Sequence, residues 1–351
     1  MHLRTGRAAN PACSPSFASA RDLLPCEERG PVAQNRRMSL ALVAGTANPE
    51  LGTAIAASLG TGLVPAELER FPDGEIRPSL GPVRGADVYL IQPTGPPAND
   101  NLVELLLLLD TCRRAGADRV TAIVPYFGYA RQDRRSSAHQ PIGARVAADA
   151  ITSAGADRLV VVDPHTHSLE AMFGVPVEML TAVPMLARAV SPAIADGSVV
   201  VAPDLGAMPL ARHFASLLHA PLAVVSKHRI DAVTVSAQEV VGDVRDRPVA
   251  IVDDMISTGA TIEAAVQALR ANGAAGQTTV TATHGLLTGT AAARLRQCAL
   301  DRLVVTDTVA HHAAERCPGQ TVTIESVACL LADAIGRLHA SRPLGELLLP
   351  G

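Results

Sequence analysis

A chain of 351 residues accommodates two domains more comfortably than one, and 48% hydrophobic with 18% charged residues describes a globular protein with ample core material. Thirty-four acidic against 30 basic side chains give no electrostatic case for binding nucleic acid, and 2% aromatics without a Trp remove the usual base-stacking platforms. No apolar run approaches a membrane span, the longest candidate at 105–109 being one side of a helix, and the six Cys lack metal-ligand spacing; the expectation is reduced thiols in a cytoplasmic protein that meets neither membrane nor nucleic acid.

Residues 1–37 mix Pro, Ser, Arg and Ala without periodicity and lack the apolar stretch of a secretory signal, so they read as a disordered extension. Met38 stands so close to the first strand, 40–44, that it is a candidate start of translation. From there strands and helices alternate, which predicts a parallel-sheet α/β architecture. Strand 40–44 leads through Gly45 and Thr46 into a helix at 49–59. Strand 88–92 precedes a helix at 100–115 that directs Leu102, Leu105, Leu106 and Leu109 to the core. Strands 120–125 and 159–163 flank a helix at 142–154. A second series follows: helix 185–189, strand 199–202, helix 210–218, strand 222–225, then strand 249–252 with its own helix. Strands at 280–284 and 303–306 and a helix at 326–339 complete it. Two phrases repeat in kind. Arg-Arg-Ala-Gly-Ala at 113–117 precedes strand 120–125 as Arg-Ala-Asn-Gly-Ala at 270–274 precedes strand 280–284. Ala-Asp-Arg-Leu-Val-Val-Val-Asp at 156–163 is likewise echoed by Leu-Asp-Arg-Leu-Val-Val-Thr-Asp at 300–307. The echoes predict two related domains, 38–185 and 186–342, with a tail at 343–351.

The chemistry concentrates at 248–270. A short apolar run, 249–252, gives way to Asp253 and Asp254, then to Ser257-Thr258-Gly259-Ala260-Thr261, then to a helix with Ile262, Ala265, Val266 and Leu269 on one face. A turn from a strand's carboxyl end into a helix amino end presents unpaired backbone N–H groups at the positive end of the helix dipole. The hydroxyls add donors and Gly259 permits close backbone approach, so the turn is a seat for a phosphate dianion. Asp253 and Asp254 would repel that phosphate; as paired acceptors they suit the two hydroxyls of a ribose, or a Mg²⁺ shared with a second phosphate group.

Three further stretches are expected at or beyond strand carboxyl ends, where such sheets bind ligands. Arg70-Phe71-Pro72-Asp73-Gly74-Glu75 offers a ring to stack a nucleobase and carboxylates to hydrogen-bond it. The segment 125–135 gathers Tyr126, Phe127 and Tyr129 beside Arg131, Arg134 and Arg135, and guanidinium forks suit a polyphosphate. Asp163-Pro164-His165-Thr166-His167 places two His near an Asp, though no Cys or helical His pair supports zinc, and a lone His at a strand end is commonly a hydrogen-bonded structural residue. Finally, 29 of the 30 basic residues are Arg; the single Lys is Lys227.

The loop at 253–261 resembles the ribose-5-phosphate loop shared by phosphoribosyltransferases and ribose-phosphate pyrophosphokinases. The wider set resembles the second family closely, from about residue 40 to 339. It comprises Phe-Pro-Asp-Gly-Glu at 71–75, Asp-Asn-Leu-Val-Glu-Leu at 100–105, Tyr-Ala-Arg-Gln-Asp-Arg at 129–134, Asp-Pro-His at 163–165, Pro-Asp-Leu-Gly at 203–206 and Lys-His-Arg at 227–229. The Tyr-Ala-Arg-Gln-Asp stretch is specific to the pyrophosphokinases. The resemblance implies two phosphoribosyltransferase-like α/β domains, each a mainly parallel sheet flanked by helices, the N-terminal one on the ATP side. It implies ATP contacts at Phe71, Asp73, Gly74, Glu75, Arg131, Gln132 and Asp133. Ribose 5-phosphate would be held by Arg229, Asp253, Asp254, Ser257, Thr258, Gly259, Ala260 and Thr261. His165 and Asp204 would ligate Mg²⁺, and Lys227 and Arg229 would be the catalytic cations. The activity implied is diphosphoryl transfer from ATP to ribose 5-phosphate in a homodimer or larger homo-oligomer; a silent regulatory paralogue and a phosphoribosyltransferase are the rivals. Two departures stand out: the family loop commonly has Asp where Ser257 stands and Gly where Ala260 stands. Ser257 and the Phe-Pro-Asp-Gly-Glu form look more like the archaeal branch, which speaks against allosteric control by ADP and phosphate.

Overall fold

The computed structural model describes residues 38–228, 237–310 and 321–350; the extension at 1–37 and Arg229 lie outside them. The first half of the chain gives β1 (Ser39–Ala44), α1 (Pro49–Leu59), β2 (Ala66–Arg70), β3 (Ile76–Leu80), β4 (Ala86–Ile91), α2 (Ala98–Arg114) and β5 (Arg119–Ile123). Next come α3 (Gly143–Ala154), β6 (Arg158–Val162), β7 (Val177–Leu180), α4 (Val183–Val190), β8 (Val199–Ala202), α5 (Met208–Leu218), β9 (Leu222–His228) and β10 (Ala237–Val241). The chain continues with β11 (Val249–Ile256), α6 (Ala260–Ala271), β12 (Thr278–Gly285), α7 (Ala291–Gln297), β13 (Arg302–Thr306), β14 (Val322–Glu325) and α8 (Ala328–His339).

Two sheets result, flanked by helices as the α/β alternation predicts. One is wholly parallel in the order β1-β4-β5-β6-β7. The other runs β10-β9-β8-β11-β12-β13-β14 and is parallel except for its edge strand β10. Both faces of the central strands are covered: all six residues of β4 and all eight of the Thr-rich β12 are buried. Local signals set the helix ends. Asn48 accepts from the Leu51 amide, Pro49 opens α1, and left-handed Gly60 closes it. On α2, Leu105 and Leu109 are buried as expected, whereas Leu102 and Leu106 are only partly so; Leu108 and Cys112 complete the buried face.

The strand predicted at 249–252 continues to Ile256, because β12 still pairs with it at Met255 and Ile256. Asp253 and Asp254 therefore sit on a strand rather than in a loop. The hairpin β2/β3 is separate from both sheets; β2 is charged and mostly exposed, while β3 alternates half-buried Ile76, Pro78 and Leu80 with exposed Arg77 and Ser79. Phe71 to Glu75 form its turn, so the expectation that they lie at the carboxyl end of a parallel sheet is corrected.

One apolar cluster crosses between the sheets, joining Leu42, Ile55, Tyr89 and Val160 to Val200, Val252, Val304 and, from α8, Leu331 and Ile335. α8 packs on α1, while α4 packs on α5, β12 and β13. We propose that the domain division expected near residue 185 lies between β7 and α4, since α4 belongs by its contacts to the second sheet.

Where the strands begin, α8 is pinned to the first sheet by a charge. Asp87 on β4 is buried, and its carboxylate accepts from Arg119 Nε (2.7 Å) and Nη2 (2.6 Å), Tyr89 Oη (3.0 Å) and His339 Nδ1 (2.8 Å). Burial alone would push Asp87 up, but these donors outweigh it and hold the carboxyl below its usual range. A depressed folded pKa means that its stabilisation is present above the ordinary carboxylate range and lost as pH falls through the folded value. Arg119→Ala should therefore cost about 3 kcal/mol at neutral pH by leaving a buried charge short of partners. Urea unfolding should show that difference shrinking towards about pH 3; a cost independent of pH would contradict the ionised clamp.

Candidate active site

The carboxyl ends of both sheets open onto one cavity of about 670 Å³. From the second sheet it receives Asp253, Asp254 and residues 257–261, together with Asp204 from beyond β8; from the first it receives Asp163 and His165 beyond β6, and Arg131, Asp133 and Arg134 beyond β5. Gln132 does not line it, and neither do Phe71, Asp73, Gly74 and Glu75.

The turn read as a phosphate seat joins a strand end to a helix start, as expected from the sequence. β11 ends at Ile256 and α6 begins at Ala260, with Gly259 between them at φ 77°. The first bond across that turn is Glu263 N to Gly259 O at 2.9 Å. The amides of Ala260, Thr261 and Ile262 precede it, and a helix offers such amides no internal acceptor. The loop after β12 props the turn from below: Leu287 N donates to Ile256 O (3.0 Å), Thr288 N to Ser257 O (2.9 Å), and the Ser257 and Thr288 hydroxyls lie 3.3 Å apart.

Beside this seat the charges are divided. Burial and the neighbouring Asp254 charge push Asp253 well above the usual carboxylate range, with Asp204 adding to the effect. Asp254 is also desolvated, yet the hydrogen bond and charge of His165 hold it low. That bond, His165 Nδ1 to Asp254 Oδ2 at 2.7 Å, directly joins the two halves of the site and raises the His165 pKa. Asp204 is turned towards its own loop, Oδ1 accepting from Gly206 N (2.9 Å) and Ala207 N (3.1 Å).

Beneath His165 lies a polar network that the sequence did not reveal. Asp163 is buried, and its Oδ2 accepts from Ala182 N (2.9 Å) and Thr283 Oγ1 (2.6 Å). His284 Nε2 lies 3.2 Å from the Asp163 carbonyl, and Nδ1 lies 2.8 Å from Thr308 Oγ1. A carbonyl only accepts, so Nε2 carries the proton; burial pushes the His284 pKa down, which suits a neutral ring.

Two of the rings gathered at 125–135 belong to the core. Tyr126 and Phe127 are buried; Tyr126 packs with Met255, Leu286 and Val309 and meets His284 edge-on at 4.9 Å, and Phe127 meets Phe173 at 5.7 Å. These rings pack in the core, while the exposed Arg131 and Arg134 line the cavity. Phe71 has the Arg77 guanidinium 5.2 Å from its ring centre, and the Asp73 carboxylate accepts from the Glu75 amide (3.1 Å). Leu349 and Pro350 of the expected tail line the cavity, because Leu349 N bonds Met179 O (2.7 Å) alongside β7.

The oxygen-rich donor set fits Mg²⁺. Asp204 bears electrostatically on Asp253, and Asp163 Oδ1 is buried with no partner among the described residues. The described residues contain no group of three or more His, Cys, Asp or Glu disposed to hold a metal ion alone.

Gly259 has room for a methyl group, the nearest atom being Ala291 Cα at 3.5 Å, so the penalty of a side chain is conformational. Gly259→Ala should destabilise by about 1 kcal/mol. It should also shrink the rise in melting temperature produced by phosphate, measured by thermal unfolding with and without the anion; an unchanged rise would contradict the seat.

Residues 40–155 match a family model described as the N-terminal domain of ribose phosphate pyrophosphokinase, and residues 232–349 match the phosphoribosyl synthetase-associated domain. The ribose-phosphate pyrophosphokinase of Caldanaerobacter subterraneus subsp. tengcongensis is 40% identical over 311 residues, 88% of this chain and 98% of that one. That of Clostridium perfringens is 40% identical over 90% of this chain and 99% of its own. The crystal structure of phosphoribosylpyrophosphate synthetase from Mycobacterium smegmatis superposes with a TM-score of 0.80 at 37% identity, covering 86% of this chain and 99% of that one. Similar along nearly its whole described length to proteins of one kind, the chain belongs to the ribose-phosphate pyrophosphokinase family.

Proposed function

We propose that this protein transfers the diphosphoryl group of ATP to the C1 hydroxyl of ribose 5-phosphate, giving 5-phosphoribosyl 1-pyrophosphate and AMP. One observation carries the reading: a single cavity unites a phosphate seat at 257–261, the Asp253–Asp254 pair, His165 with Asp204, and Arg131 with Asp133. The amides and hydroxyls of Ser257, Thr258, Gly259, Ala260 and Thr261 hold the 5-phosphate. Asp253 and Asp254 accept hydrogen bonds from ribose hydroxyls and so orient C1.

The C1 hydroxyl attacks the β-phosphorus in line and AMP leaves. Such a transfer needs alignment and charge neutralisation more than covalent participation. Arg131 and Arg229 supply fixed positive charge, and Lys227 supplies the compact ammonium for which an Arg fork is no substitute. Lys227 lies on β9 in register with Gln238 of β10. His165, whose Nδ1 is occupied by Asp254, has Nε2 left for a metal, and with Asp204 it would hold Mg²⁺. When bound there, Mg²⁺ would supply neutralisation of the phosphate oxygens.

Phe71, Asp73, Gly74 and Glu75 stand clear of this cavity, so we propose that they reach adenine across a homo-oligomer, from the hairpin of one copy to the cavity of another. Gln132 and Asp133 complete the nucleotide side. A phosphoribosyltransferase accounts for the 257–261 loop but leaves the matched N-terminal domain without a role. A silent paralogue has no chemical need for Lys227, Asp253 and Asp254. Among the described residues no helix is long and apolar enough to cross a membrane, and we place the enzyme in the cytoplasm.

AMP release from ATP and Mg²⁺ should depend on ribose 5-phosphate and fall by about 100-fold or more in Lys227→Ala. A folded protein that binds ATP yet forms no ribose-dependent AMP would overturn the proposal.

A further inference from the structure

We infer that Thr283 and His284 are positioning residues: from the second sheet they lock the backbone turn at Asp163 that sets His165 against Asp254. The inference rests on the reaction proposed above. Asp163 has φ 37°, the left-handed region that a non-glycine residue enters at a penalty and holds only where its surroundings over-determine it. Four hydrogen bonds do so. Two come from the first half of the chain: Asp163 N donates to Leu180 O (2.9 Å), and Oδ2 accepts from Ala182 N (2.9 Å). The other two cross between the sheets, Thr283 Oγ1 to Oδ2 (2.6 Å) and His284 Nε2 to the Asp163 carbonyl (3.2 Å).

Pro164 follows, with φ fixed by its ring, so the orientation set at Asp163 passes stiffly to His165. On the other side, His284 lies in register with Met255, the residue after Asp254. One end of the 2.7 Å His165–Asp254 contact is thereby referred to these two side chains, and the other to the backbone of the strand that carries them. Thr308 Oγ1, 2.8 Å from His284 Nδ1, orients the ring, and Thr306 Oγ1 donates to the Thr283 carbonyl (2.6 Å). Thr283, His284 and Thr308 line no part of the cavity; they act through Asp163 and His165.

The test compares Thr283→Val, which keeps the shape and removes the donor, with Thr283→Ser, which keeps the donor. Ribose-dependent AMP formation and thermal midpoints are measured for both beside the wild type. A misplacement of about 1 Å at a reacting centre costs up to about 100-fold. Thr283→Val should therefore lower kcat by about 10- to 100-fold with the KM for ribose 5-phosphate within about 2-fold, and Thr283→Ser should stay within about 3-fold of wild type. Thr308→Val, which removes the partner of the far nitrogen of His284 together with the Thr308 hydroxyl contacts to Thr306 and the Thr283 carbonyl, leaves both Asp163 bonds in place and should lower kcat by about 3- to 10-fold if the network positions the site. A lowered midpoint with unchanged kcat in both Val variants, or equal loss in Thr283→Val and Thr283→Ser, would overturn the inference while leaving the reaction standing. An inactive wild type would overturn both.

Discussion

The structure depends on two sheets presenting their carboxyl ends to the same space. Apolar burial supplies the attraction, through a cluster that draws Leu42 and Tyr89 of one sheet together with Val252 and Val304 of the other. Burial is non-directional, however, and would tolerate a slide of one sheet past the other. Direction comes from polar contacts at the two ends of the strands. Where they begin, Asp87 gathers Arg119, Tyr89 and the C-terminal His339; where they end, Asp163 meets Thr283 and His284, and His165 meets Asp254. Buried polar groups are expensive to leave unpaired, so each end has one low-energy arrangement.

That constraint explains why the site divides its charges as it does. A phosphate seat made of amides and hydroxyls carries no net charge, so it tolerates Asp253 and Asp254 nearby. Those carboxylates cannot both be comfortably ionised in a desolvated corner: His165 stabilises one, and the other is left with a raised pKa. That corner is thus short of positive charge, which is why a divalent cation, Lys227 and Arg229 are proposed to act there.

Much of this was legible because it is local. The strand-to-helix turn at 253–261 and the apolar run of β4 are written in consecutive residues. The resemblance carried by Tyr-Ala-Arg-Gln-Asp-Arg at 129–134 named the family that the near full-length relatives also name. What was not legible depended on partners distant in sequence. Tyr126 and Phe127 sit among arginines in sequence, and only the fold shows that core packing claims them. The hairpin carrying Phe71 reads as a strand end, because nothing in Ala-Glu-Leu-Glu-Arg announces a ribbon outside the sheets. Thr283 and His284 looked like the end of one more strand, and only their contacts with Asp163, some 120 residues away, give them a role.

The most direct measurement is a crystal structure with Mg²⁺, ribose 5-phosphate and a non-hydrolysable ATP analogue whose α–β bridge is a methylene group. The 5-phosphate should lie about 3 Å from the backbone N–H groups at 258–261, with the analogue's phosphates between Arg131 and His165 and its β-phosphorus in line with the C1 hydroxyl. A 5-phosphate bound away from that turn, or an analogue seated outside the cavity shared by the two sheets, would contradict the account.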